Sequence, residues 1–218
     1  MRRKFYVIFN KHSELEGKHA LLGASKHAWL NYDDEQLVRS YYSSFAQPIG
    51  TLVHSYAKKK IKYRQPMEDN RSEKNNLILH LLENDIPSQV IQVDNLFYNL
   101  MPYVNDAIGY KMTPEQVLYY SEYSFGTADA ISYGRNTLRI HDLKTGVSPV
   151  SMDQLMVYAA WFFLEYKKEV NFQKSHTELR IYQNQEVIVH TPTNQEISEV
   201  MDKVIHGAMV IDKNVMEV

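Results

Sequence analysis

The sequence predicts an α/β protein, with a sheet core flanked by helices and a mainly helical N-terminal half. Three observations carry this. Up to Pro114 apolar residues recur at helical spacing in several separate segments. After it, "EQVLYYSEYSFGTADAISYGRNTLRIHDLKTG" is rich in β-branched and aromatic residues and is cut by Gly126 and Gly134. A helical run, a hairpin pattern and an amphipathic closing segment then follow, and strands interrupted by helices pack as a sheet with helices on its faces.

Taken in order, "KFYVIF" (Lys4 to Phe9) reads as a short strand. "HALLGASKHAWLNYDDEQLVRSYYSSFAQ" mixes helical runs with breaks at Gly23 and around Asn31 to Asp34, and Asp33 or Asp34 suits the N-cap of the helix that follows. Pro48 and Gly50 punctuate. "GTLVHSYAKKKIKYR" then reads as a helix with Leu52, Val53, Tyr56 and Ile61 roughly on one side. Ser72 to Glu83 and the shorter Asp94 to Met101 complete the helical half. Three strands are predicted at about 116–124, 127–133 and 137–144, with Gly134 and Asn136 suited to the last turn. Ser148 and Pro149 introduce a helix over about 151–168. A hairpin turns around Asn184-Gln185, and Asn194 to Met209 closes the chain as a helix.

At 218 residues the chain suits one domain over 1–218, with 1–110 mainly helical and 111–218 holding the sheet core. Apolar residues make up 44%, a globular composition. The absence of cysteine excludes a disulfide framework, a Cys-type zinc site and a thiol nucleophile, and agrees with a reducing, cytoplasmic location. No apolar stretch approaches the ~20 residues of a membrane span. The apolar run in "MRRKFYVIF" is too short for a secretory signal. Net charge is −2, yet Lys58, Lys59, Lys60, Lys62 and Arg64 fall within seven positions, and Arg2, Arg3 and Lys4 open the chain. Such a stripe is either a solvated helix face or a hold for phosphates.

The chemistry concentrates in "IHDLKTG". An acid-x-Lys pattern arises by chance roughly once in a chain of this size, and this one has three: Glu16-Gly17-Lys18, Asp142-Leu143-Lys144 and Glu165-Tyr166-Lys167. Only the middle one ends a strand. There Asp142 and Lys144 share a face while Leu143 points into the core. In the helix around Glu165, positions i and i+2 do not face each other. Asp129 lies on the preceding strand, and antiparallel neighbours can set it beside Asp142. Standing alone, two such acids are an ordinary solvated strand end. Side by side they repel unless a cation neutralises them, and hard oxygen donors suit Mg²⁺ or Mn²⁺. The Lys144 ammonium then suits a phosphate oxygen or an orienting role toward water.

In "GTAD" (Gly126 to Asp129), "DLK" (Asp142 to Lys144), "QLMVY" (Gln154 to Tyr158) and the upstream "GTLVH" (Gly50 to His54), the chain resembles the PD-(D/E)XK nuclease superfamily in its RecB-like branch, including phage-encoded exonucleases. The resemblance covers about residues 50 to 160 by motif. It implies a restriction-endonuclease-like mixed central sheet and a divalent-metal-dependent DNA nuclease. By the family pattern His54, Asp129, Asp142 and the Leu143 carbonyl hold Mg²⁺ or Mn²⁺. Lys144 assists the attack, and Gln154 and Tyr158 support the site or touch the DNA backbone. Glu122 is a further candidate if its strand bends at Gly126. Lys58, Lys59, Lys60 and Lys62 are placed to track DNA beyond His54. The expected partners are DNA, a single-strand annealing or binding protein, and further copies of the chain. A non-catalytic binding module, a structure-specific endonuclease and an RNA nuclease are the alternatives. No ATP-binding Gly-x-x-x-x-Gly-Lys-Ser/Thr motif is present.

Overall fold

A computed structural model of the chain describes residues 10–215. The strand expected in "KFYVIF" and the cations Arg2, Arg3 and Lys4 lie outside them. The backbone divides between Phe45 and Ala46 into two compact units.

The first unit is small and mostly solvated. It holds 3-10 turns at Ser13–Leu15 and Ala24–Asn31, the second kinked at Lys26, and helix α1 (Asp34–Ser44). Asp33 caps α1 in a reciprocal box. Its carboxylate accepts from the Gln36 N–H at 2.7 Å, and the Gln36 side-chain oxygen accepts from the Asp33 N–H at 2.9 Å.

The second unit begins with three helices, α2 (Ala46–Lys62), α3 (Arg71–Leu82) and α4 (Val93–Gly109). Helix α2 starts four residues before the expected Gly50. Pro48 falls in its first turn, where a missing N–H costs no helical bond. Ile49, Val53, Tyr56, Ala57 and Ile61 form its buried face. Helix α4 runs well past the expected end at Met101, through Pro102. A proline inside a helix costs about 3 kcal/mol, but the buried face continues on both sides of it, from Leu96, Phe97 and Leu100 to Tyr103, Val104 and Ala107. Burying three such side chains outweighs the broken bond.

Strands β1 (Thr113–Ser121), β2 (Ser124–Gly134) and β3 (Thr137–Leu143) form an antiparallel meander, and helix α5 (Asp153–Glu165) crosses to β4 (His176–Gln183), parallel to β3. Strand β5 (Glu186–His190) pairs antiparallel to β4, and α6 (Asn194–Val215) closes the unit. The five-stranded mixed sheet has strand order β1-β2-β3-β4-β5, so the α/β class and the helical N-terminal half are as expected. The β2–β3 and β4–β5 hairpins turn on paired left-handed residues, Arg135-Asn136 and Asn184-Gln185, which matches the twist of the strands they join.

One turn differs. The first hairpin reverses at Glu122-Tyr123, between Ser121 and Ser124, rather than at Gly126. Gly126 sits inside β2, where the Trp161 ring of α5 lies so close that a Cβ would come within 2.8 Å of it. Its glycine serves close packing, not a turn. Around it Leu118, Ala128, Leu138 and Ile140 from the sheet pack against Leu155, Tyr158, Ala159 and Phe163 from α5. No described helix is long and apolar enough to cross a membrane.

Gly126→Ala should therefore destabilise the fold by about 1–3 kcal/mol, whereas Gly134→Ala, with nothing within 4 Å, should change little. Thermal melts of the two variants check this, and equal midpoints would contradict the packed contact.

Candidate functional site

The site forms where β3 ends. The β2–β3 register pairs Ala130 with His141, which makes Asp129 and Asp142 the next opposing positions. The Asp129 carboxylate accepts the Leu143 N–H at 3.0 Å and stands 3.4 Å from the His54 ring on α2. Asp142 is only 2% exposed. The Lys144 ammonium donates to its Oδ1 at 3.1 Å. It also lies 3.0 Å from Oδ2, off that oxygen's hydrogen-bonding direction, so the buried Oδ2 has no hydrogen-bond partner. Lys144 donates further to the Gln154 carbonyl oxygen at 3.0 Å, and the Gln154 amide donates to the Tyr158 hydroxyl at 3.0 Å. Gln154 and Tyr158 are one turn apart on α5, so the tyrosine holds the amide that meets the lysine.

Backbone contacts fix this end of β3. The Lys144 N–H donates to the Tyr182 carbonyl on β4 at 3.0 Å, and Asn99 of α4 donates to the Lys144 carbonyl at 3.4 Å. Tyr182 is itself held by Asp106, which accepts its hydroxyl at 2.6 Å and the Arg180 guanidinium at 2.8 Å. His141, fully buried beside Tyr182, faces away from the acids. Burial, followed by the charges of Arg180 and Arg139, pushes its imidazole down to about 3, so it is neutral. Helix α2 approaches from the other side through Gly50, whose absent Cβ would lie 3.1 Å from the Thr145 hydroxyl.

Glu115 completes the constellation, and sequence reasoning missed it. It falls opposite Asp129, between the pairs Pro114↔Ala130 and Gln116↔Ala128. Its φ of +54° is a left-handed conformation rarely adopted by a side-chain-bearing residue in a strand. Donor atoms of His54, Glu115 and Asp129 all lie within 4.8 Å of one another. Glu122 is not brought to the cluster. It occupies the exposed turn at the far end of the hairpin, seven residues from Asp129. The signal for Glu115 was hairpin arithmetic: a turn at Glu122-Tyr123 sets residue 115 against residue 129.

The charges are tightly coupled. Burial and the neighbouring Asp129 carboxylate push Asp142 up to about 6, against the pull of Lys144 and His54. Burial disfavours a charged His54, but the hydrogen bond and charge of Asp129, with Asp142 and Glu115 behind it, outweigh that and raise it above the usual imidazole value. Two carboxylates and an imidazole converging on one point, with a buried carboxylate oxygen beside them that accepts no hydrogen bond, match the donor set of a divalent cation such as Mg²⁺ or Mn²⁺.

The cluster opens onto a cleft of about 610 Å³ lined by His54, Glu115, Asp129, Thr127, Thr145 and Lys58, among others. Of the expected basic stripe, Lys58 lines this cleft, and Lys59 and Lys62 are exposed. Lys60 is instead committed to Glu73 of α3, at 2.9 Å.

A family model described as "Protein of unknown function (DUF2800)" matches residues 19–206, most of the chain. No curated protein and no solved structure matches it.

Because Asp142 titrates higher folded (about 6) than unfolded (3.8), its ionised form opposes folding. That cost is fully present above about pH 6, shrinks as pH falls, and vanishes below 3.8. Metal-free Asp142→Asn should therefore be more stable than the parent at pH 7.5, by on the order of 2–3 kcal/mol. The gain should fade between pH 6 and 4 in denaturant titrations. A gain independent of pH would contradict the coupling.

Proposed function

For this chain, which belongs to the DUF2800 family, we propose a divalent-metal-dependent DNA nuclease of the PD-(D/E)XK type, acting as an exonuclease in phage-type recombination, repair or DNA processing. The single observation that carries it is the convergence of His54, Glu115 and Asp129 on one cleft, with the buried Asp142 opposite Asp129 on the next strand, Lys144 bonded to Asp142, and Gln154 and Tyr158 behind the lysine. Motif residues scattered over about a hundred positions have no packing reason to collect there.

His54, Glu115, Asp129 and Asp142, with the Leu143 carbonyl, would hold Mg²⁺ or Mn²⁺. A bound divalent ion supplies a more acidic water and relief of charge on the phosphate and departing oxygen. The chain's own residues do the rest. His54 gives up its proton to act as a donor, so binding weakens as pH falls. Lys144 is one-third exposed at its side chain and sits beside Asp142, from where its ammonium meets a phosphate oxygen and offsets charge growing in the transition state. Gln154 and Tyr158 position that ammonium by fixing its direction. The Leu143 N–H orients Asp129 by donating to its Oδ2. Lys58 adds a cation at the cleft wall, and Lys59 and Lys62 extend it along α2, a contribution that salt should weaken. The cysteine-free sequence fits action in the cytoplasm, that of a host if the chain is phage-encoded.

Asp142→Ala and Lys144→Ala should each lower Mg²⁺- or Mn²⁺-dependent degradation of end-labelled linear DNA by at least about a thousandfold, while each variant still folds and melts cooperatively. Circular DNA should survive. Parental activity in either purified variant would sink the assignment, nicked circles would make the enzyme an endonuclease, and no degradation by the parent chain would leave only a binding module.

A further inference from the structure

We propose that the outer half of the β1–β2 hairpin is a stacking platform for single-stranded DNA, continuous with the cleft. Leu118 and Ala128 pack in the core with α5, and Gly126 lies against Trp161 of the same helix. Side chains alternate along a strand, so Val117, Tyr119, Phe125 and Thr127 face the opposite side. The register sets Val117 directly against Thr127 and Tyr119 against Phe125. On that side Val117 is 52%, Tyr119 51% and Phe125 57% exposed. The two rings are stacked, with centroids 6.4 Å apart and planes inclined by 28°. Large apolar side chains grouped this way on a solvated sheet face mark a binding surface.

Three features select a DNA strand as the occupant. Thr127 belongs both to this face and to the wall of the cleft, so the platform runs without a break into the acidic cluster. Across the cleft stand Lys58 and the hydroxyl-bearing Thr51 and Ser55 of α2, which suit a phosphate backbone rather than an apolar protein face. Exposed rings inclined to each other by only 28° present faces that match those of bases, and base faces are free only in an unpaired strand. Phe125 is four residues from Asp129, about 13 Å at ~3.3 Å per residue. That is about four steps of a stacked strand at ~3.4 Å per nucleotide. The platform thus seats bases a few nucleotides from the phosphate at the cluster. This inference rests on the nuclease reading for the chemistry of its ligand.

The test is fluorescence anisotropy with labelled oligo(dT) in EDTA, where nothing is cut. The Tyr119→Ala/Phe125→Ala double variant should bind roughly tenfold or more weakly than the parent. Phe125→Trp should bind as well as the parent, and abasic oligonucleotides should bind both chains equally weakly. Because both side chains are exposed, the fold should be unaffected, and unchanged melts check that. Equal oligo(dT) binding by parent and double variant overturns the platform. So does failure of the parent to bind, or a parent dimer that the double variant disperses with DNA affinity unchanged, which would make the patch a protein interface. The two readings fail separately. A parent that binds oligo(dT) through these rings but never cleaves loses only the nuclease assignment. One that cleaves linear DNA equally well with and without the rings loses only the platform.

Discussion

Two carboxylates facing each other across β2 and β3, one of them buried, set the terms for everything around them. Asp129 and Asp142 cannot both be ionised there without compensation, and the surroundings supply it from several directions. Lys144 comes from the same strand, His54 from α2, and the Leu143 N–H from the backbone. The compensation is incomplete, since Asp142 remains raised to about 6 and its Oδ2 lacks a hydrogen bond. A fold selected only for stability would replace such a group with an apolar one. On the proposed function, a bound divalent cation would supply the compensation that is missing.

The rest of the second unit holds that pair in place. Lys144 is tied to β4 through the Tyr182 carbonyl and to α4 through Asn99, and Tyr182 is braced by Asp106 and Arg180. Gly50 lets α2 come close enough for His54 to reach Asp129. Gln154 and Tyr158 fix the lysine from α5. The strained Glu115 adds a further carboxylate from β1. Strain and uncompensated charge thus coincide at one place, and the apolar packing of α5 on the sheet offsets their cost.

The fold class was legible because periodicity changes sharply at Pro114 and because the Gly134 and Asn184 turns carry strong local signals. The far end of the first hairpin was not. Gly126 looks like a turn residue, and only the position of Trp161, distant in sequence, shows that it is a packing residue. That one misplacement carried the site error with it, since a turn at Gly126 brings Glu122 toward Asp129 and hides Glu115. The length of α4 was obscured by Pro102, whose local penalty is overruled by tertiary burial. His54, Asp129, Asp142, Lys144, Gln154 and Tyr158 were legible as a pattern because each keeps a fixed offset within its own strand or helix. The commitment of Lys60 to Glu73 was not, because that pair joins two helices whose packing no local pattern encodes.

The central claim is that His54 and Glu115 join the two aspartates around one divalent ion. Mn²⁺ binding followed by electron paramagnetic resonance, with ¹⁵N-labelled histidine, tests it most directly. The parent chain should hold Mn²⁺ with coupling to one histidine nitrogen, lost in His54→Ala. Affinity should fall about tenfold or more in Glu115→Ala and stay unchanged in Glu122→Ala. No bound Mn²⁺, or binding indifferent to His54 and Glu115, would contradict the account.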